Sequence, residues 1–294
     1  MPAPSSSPGP LPPAPPPARI LPSLVEGGVQ LGAEVVAVMG SVVVRDSLDL
    51  DGTTVVLGPG VGGETPHLHF DPEASLSTDG ARFVAADAAL GFRITTSARV
   101  EVTLTDTVFD HPGVVTWDER GRPQAIGVVL NGRATIQGGS VRHGLAALTL
   151  RGAGSRIEGT RFIGNSTALQ VEGPGVVVTQ VHSQHDGLFM LVDERSAGLR
   201  VESVKVDQPT AAAVRIHSRQ PDVLLKDVEV TGAGTAGVAL PRPGALEGIR
   251  FENVSLEACG TPLDPGFVDP QQPLLEPTGV VLRHAPEKCP SRPA

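Results

Sequence analysis

Six side chains stand out for chemistry because of their spacing. Arg151, Glu172, Asp193 and His217 follow one another at intervals of 21, 21 and 24 residues, and Gln170 and Arg215 lie two residues before Glu172 and His217. If equivalent positions of successive repeat units stack, the six form one polar patch with Glu172 and Asp193 a single step apart. Two carboxylates that close push one pKa upward and make an acid/base pair. Arg151 or Arg215 would stabilise a substrate carboxylate or developing negative charge, and His217 would hold the proton of Asp193. Gln170 adds a neutral ligand-binding group. The same residues also read as a ladder of surface ion pairs, Arg151 with Glu172 and Asp193 with Arg215 or His217, each contributing little.

Histidines suggest a second chemistry. His111, His143 and His185 share one slot, seven residues past an apolar anchor, with Asp110 and Asp186 beside two of them. Neutral imidazoles are common metal ligands, and polar residues that satisfy turn backbone fill such slots equally well. His67-Leu68-His69 puts two imidazoles on one side of a strand, a pair that chelates metal when a third ligand joins. A further series, Ser140, Arg161, His182, Lys205, Glu229 and Ser255, alternates in sign and reads as a solvated face. No cofactor is implied.

The elements that position these groups repeat. The hexads IQGGSV (136–141), IEGTRF (157–162), VTQVHS (178–183), VESVKV (201–206), LKDVEV (225–230) and FENVSL (251–256) recur at spacings of 21, 21, 23, 24 and 26 residues, with LTDTVF (104–109) as an earlier member. The larger gap after Phe109 holds an inserted loop containing Trp117-Asp118-Glu119-Arg120. Each later hexad follows a strand pattern: 126–130, 146–150, 167–171, 188–192, 212–216 and 236–240. Their first, third and fifth residues are apolar, the period of two expected of strands with one buried face. Units of strands and turns that cannot each bury a face must stack, so the pattern predicts an all-β parallel solenoid over residues 20–258. Val214 and Val238 are expected inside, and Arg161 outside.

The apolar-x-Asn/Asp-x-x-apolar bend, clearest at Leu225-Lys226-Asp227 and Phe251-Glu252-Asn253, resembles the right-handed parallel β-helix family, the pectate-lyase-like superfold. The resemblance covers roughly 126–256 and is weaker over 33–110. It implies a right-handed single-stranded β-helix. In the family's polysaccharide lyases and glycosidases, it implies an acidic cluster with a nearby Arg or Lys on an outer face. The stretch Gln184-His185-Asp186-Gly187 is similar to the Asp-Pro-His-Asp motif of alginate epimerases, but Ser183 and Gln184 occupy its first two positions, so the catalytic Asp is missing. One such fold hosts many activities.

The ends read differently. Residues 1–19 are Pro-rich and are expected to form a disordered, extended tether. Residues 20–32 are expected to form a short N-terminal capping helix with Ser23 as N-cap, and residues 259–294 a Pro-rich tail folded over the other end. Cys259 and Cys289 are the only cysteines. A disulfide between them suits an oxidising compartment, and two free thiols in the cytoplasm are the alternative. A secreted or cell-envelope protein is expected, with the cytoplasm as the other reading. No apolar run is long enough to span a bilayer.

Composition separates the functions. A net charge of −9 argues against nucleic acid, whose phosphates need a basic face. The chain has no Tyr, one Trp and eight Phe, few aromatic faces for stacking sugars. The preferred expectation is a non-catalytic structural, adhesion or binding module, with a polysaccharide or another cell-surface protein as partner. A carbohydrate-active enzyme (lyase, hydrolase or epimerase) is the alternative, and a phage or secretion-system spike a third.

Overall fold

The computed structural model describes residues 17, 19–117, 120, 123–218, 221–241, 243–264, 277–285 and 287. Most of the tether and Cys289 therefore lie outside the described residues. The chain is an all-β parallel solenoid. Each coil lays down three short strands, one on each of three faces.

The second face is an eleven-stranded sheet to which successive coils contribute one strand each in chain order. The strands Ala146–Leu150, Thr167–Val171, Leu188–Val192 and Ala212–Ile216 lie on it where the period-two pattern predicts them. Their register stacks Val42, Leu68, Ile94, Val128, Leu148, Leu169, Met190, Val214, Val238 and Leu263 in one column, and all ten are buried. Parallel in-register pairing keeps one side of every strand inward, so the alternation propagates from coil to coil. Aromatic rings pack inside the coils: Phe83 stacks on Phe109 of the next coil at 5.0 Å, and Phe162 meets Phe189 of the second face edge-on at 6.0 Å.

The third and first faces join at a sharp bend, which is what the recurrent hexads encode. Gly52, Gly80, Asp106, Gly138, Gly159, Gln180, Ser203, Asp227 and Asn253 all take positive φ there. Asn and Asp tolerate this region because their short polar side chains bond locally. Asn253 Nδ2 donates to Asp227 Oδ1 on the preceding coil at 2.7 Å. One left-handed residue turns the chain without ending the ladder, so the strands Leu199–Asp207 and Val223–Ala233 run through their bends.

The expectation at the N-terminal end is corrected. Residues 20–32 form no helix. Arg19–Ile20, Leu24–Val25 and Val29–Leu31 are strands of an incomplete first coil, paired with the strands Val35–Met39, Ser41–Val44 and Ser47–Asp51. Val25 and Leu31 are buried, and the exposed edge of the next coil offers this segment backbone partners that a helix would leave unmet. At the other end, Val280–His284 pairs in parallel with Val254–Ala258. The described part of the tail thus adds a rung on the last coil.

The inserted loop is an antiparallel hairpin, Val114–Trp117 with Pro123–Ile126, standing outside the coil stack. Glycines bracket it. Gly113 has φ of 116°, and a Cβ on Gly127 would lie 2.3 Å from the Ala146 carbonyl oxygen, so only glycine lets the chain re-enter the coil there.

Candidate functional site

The hairpin makes a groove of part of the second face. A cavity of about 450 Å³ lies between Gln124–Ile126 of the hairpin and the outward side chains of four successive coils. Strand pairing sets the order of those side chains: Thr95, Val129, Thr149 and Gln170 stand in one outward column. Arg93 joins them from the same strand as Thr95, and Asn131, Arg151 and Glu172 come from the positions just past each later strand.

Three of the sequence-predicted site residues meet here. Arg151 grips Glu172 with both ends of its guanidinium, Nε to Oε2 at 2.7 Å and Nη2 to Oε1 at 3.3 Å. Gln170 Nε2 donates to Glu172 Oε1 at 2.9 Å. The Glu172 side chain is 12% exposed and that of Arg151 47%. The carboxylate is thus spent inside the pair, whereas the guanidinium still presents surface to the groove. Arg151 Nη1 also reaches Asn131 Oδ1 at 3.5 Å. Asn131 itself is anchored, its amide donating to Thr96 Oγ1 at 3.0 Å and its side chain to the Thr96 carbonyl.

The other three do not join them. Asp193, Arg215 and His217 do not line the cavity, and Arg215 and His217 are exposed. Asp193 turns back on its own loop, Oδ1 accepting from the Arg195 amide at 3.2 Å. Among the described residues no ion pair joins Asp193 to Arg215 or His217. The expected ladder therefore exists at Arg151–Glu172 and stops there. The register that places Glu172 and Asp193 on successive coils is correct. A shared register does not give a shared environment, because the hairpin ends over Glu172.

Arg93 and Thr95 were not singled out from the sequence. Arg93 pairs in register with His67, and Thr95 with His69. His67 Nε2 and His69 Nδ1 both lie 2.8 Å from Thr95 Oγ1, and His69 Nε2 lies 3.5 Å from Asp71 Oδ1. Burial first, then the charges of Arg93 and His69, lower the His67 pKa to about 4, so this ring is neutral at pH 7. The His67/His69 pair is therefore tied to a hydroxyl. Arg93 Nε is buried with no hydrogen-bond partner among the described residues. The signal that could have exposed it is the continuation of the outward column upstream of residue 126, where the repeat register is hardest to read in sequence.

The alternating-sign series stacks as expected, Ser140, Arg161, His182, Lys205, Glu229, Ser255. It carries one polar network. Burial raises the Asp207 carboxyl, but hydrogen bonds from His182 and Thr231 and the charge of Lys205 outweigh it and hold it below the usual carboxylate range. The histidine slot is a second column of left-handed residues: His111, His143, Gly164, His185, Gln208 and Gly232 all have positive φ. His111 and His143 are neighbours, their ring centroids 4.9 Å apart. Gly164 separates them from His185. No described cysteine is free, and Cys289 lies outside the described residues. The chain matches no family model, no curated protein and no solved structure.

Proposed function

We propose that the protein is a rigid, non-catalytic binding module outside the cytoplasm, in the cell envelope or secreted. Its hairpin-walled groove takes an acidic oligosaccharide. The groove carries the reading. In it, the half-exposed Arg151 guanidinium and the Arg93 side chain that lines the same cavity offer positive charge for a carboxylate, and Thr95, Thr149, Asn131 and Gln170 offer partners for hydroxyls. Such a polar, partly enclosed surface suits a hydrated ligand. The coil pattern supports kinship with right-handed pectate-lyase-like β-helices. The Pro-rich first 19 residues support placement outside the cytoplasm, and a Cys259–Cys289 bridge is proposed with it, since such a bridge belongs to an oxidising compartment.

Catalysis by a carboxylate pair is disfavoured because, among the described residues, Glu172 is the sole acidic residue lining the cavity, and glycoside hydrolysis calls for two carboxyl groups. Calorimetry against acidic and neutral oligosaccharides tests the reading. Acidic chains bind and neutral ones do not. Arg93→Gln and Arg151→Gln each weaken binding about tenfold or more, the worth of a charge-assisted hydrogen bond. Asp193→Asn and His217→Ala leave it unchanged. Binding that survives both arginine substitutions overturns the groove assignment. Release of unsaturated or reducing ends by wild type, lost in Glu172→Gln, establishes the enzyme reading instead.

A further inference from the structure

Asp110 closes the first-face strand Val108–Asp110 and is only 7% exposed. Its Oδ1 lies 3.0 Å from His111 Nδ1 and 3.1 Å from His143 Nδ1. The convergence follows from register: Asp110 pairs with Arg142, so the residues that follow, His111 and His143, stack on adjacent coils. Both sit at φ near +60°, 61° and 55°. Two later coils fill the same slot with Gly164 and Gly232, the residue that takes this conformation without strain. Imidazoles on two successive coils are thus kept where glycine would serve the backbone better. One donor atom from each of the three residues lies within 4.8 Å of the other two. Neighbouring ligands around a tetrahedral zinc, at bond lengths near 2.0–2.1 Å, stand about 3.3–3.4 Å apart. The two measured oxygen–nitrogen separations need to open only slightly to admit the ion.

We propose that Asp110, His111 and His143 form a binding site for a divalent first-row cation of the zinc class. Asp110 Oδ1 and one nitrogen of each imidazole are its ligands. Two imidazoles and a carboxylate are a donor set suited to such ions. Three protein ligands leave a coordination position open, on the side where His143 is exposed. The buried carboxylate, which lies within hydrogen-bonding distance of two ring nitrogens, would be neutralised by the cation. His185 takes no part. It lies beyond Gly164, and its neighbour Asp186 points inward, its carboxylate bound to Asn165 and Ser183. The site does not depend on the groove reading, since none of its residues lines the groove.

The test uses the full chain, stripped with chelator and titrated with zinc by calorimetry and with cobalt by visible absorption. Wild type takes up one equivalent, and cobalt develops the intense d–d bands of a low-symmetry, four- or five-coordinate site. Affinity falls on acidification as protons compete for the imidazoles. His143→Gly, which installs the residue used in the same slot at 164 and 232, and Asp110→Asn each weaken binding at least tenfold, with the melting temperature of the metal-free protein kept in His143→Gly. His185→Gly binds like wild type. The proposal is overturned if wild type binds zinc no more tightly than His143→Gly, or if binding is lost in His67→Gln and kept in His143→Gly, which would move the ion to the other histidine pair.

Discussion

Asp186, buried, and His67, half-buried, are titratable groups whose pKa values move in opposite directions. Asp186 is fully buried. Desolvation raises its pKa to about 6, against the hydrogen bonds from Ser183 and from the Asn165 amide and side chain, which lower it. A carboxyl raised in the folded state contributes stability that is complete below its unfolded pKa, near 3.8, and is lost as pH climbs through about 6. His67, lowered to about 4, works the other way: its contribution is complete above 6.5 and is lost as pH falls through about 4. The two windows overlap and mask each other in wild type. Denaturant titrations should separate them. Asp186→Asn, which removes the rising-pH loss, should leave stability falling on acidification from pH 6.5. His67→Gln should leave stability falling as pH rises from 4 to 6. Each change should be on the order of 1–3 kcal/mol, about 1.4 per pKa unit. Parallel profiles for the two variants would show that neither group is buried as described. Both residues were visible in the sequence, but their titration was not, because it depends on which atoms of Asn165, Ser183 and Arg93 surround them.

The strand and the hairpin call for different experiments. Val214 lies between Met190 and Val238 in the second-face column and is 1% exposed. Val214→Asp buries an unpaired carboxylate there, at a cost of several kcal/mol. Arg161, exposed on the first face, should tolerate Ala with a change below about 0.5 kcal/mol. Urea unfolding of the two variants checks both. The hairpin pairs only with itself, so replacing residues 115–125 by a short Gly-Ser turn should leave the melting temperature within a few degrees of wild type. The same change removes the wall formed by Gln124–Ile126 and should abolish ligand capture by the groove. A large loss of stability would show that the hairpin braces the coils. The strand register was readable from period-two apolar positions. The hairpin was readable only as an insertion of unusual length, since pairing between 114–117 and 123–126 has no alternation strong enough to announce it.

The whole molecule is a one-dimensional stack, and its ends are its weak points. The last described rung leaves Val281 53% and Leu282 46% exposed, while Leu256 beneath it is fully covered. Removing residues 277–294 should uncover Leu256 and free the backbone edge of Val254–Ala258. Such an edge is a template for another chain. The truncated protein should melt several degrees lower and sediment as larger species at concentrations where the full chain does not. Unchanged melting and sedimentation would mean that the final rung contributes little. Coils far from the cut should keep their amide protection, because each repeat interacts chiefly with its neighbours.

The sequence alone determined the repeat, the inward columns and the bends, because those depend on local rules. Apolar residues at every second position choose a strand face, and Gly, Asn or Asp at a recurring slot supplies a left-handed turn. Asp227 and Asn253 were legible for that reason, as were Val214 and Val238. The first coil was misread as a helix because residues 20–32 are short and weakly patterned, and an open edge decided their conformation. Of the six residues expected to form one patch, Arg151, Gln170 and Glu172 meet in one cavity, and Asp193, Arg215 and His217 do not line it. Spacing put all six on one face, in two neighbouring columns, but only the position of an inserted hairpin decided which of them share a cavity. Arg93 and Thr95 entered that cavity, and His111 met Asp110 and His143, for the same reason. Such meetings depend on how coils of unequal length come into register, which tertiary packing sets.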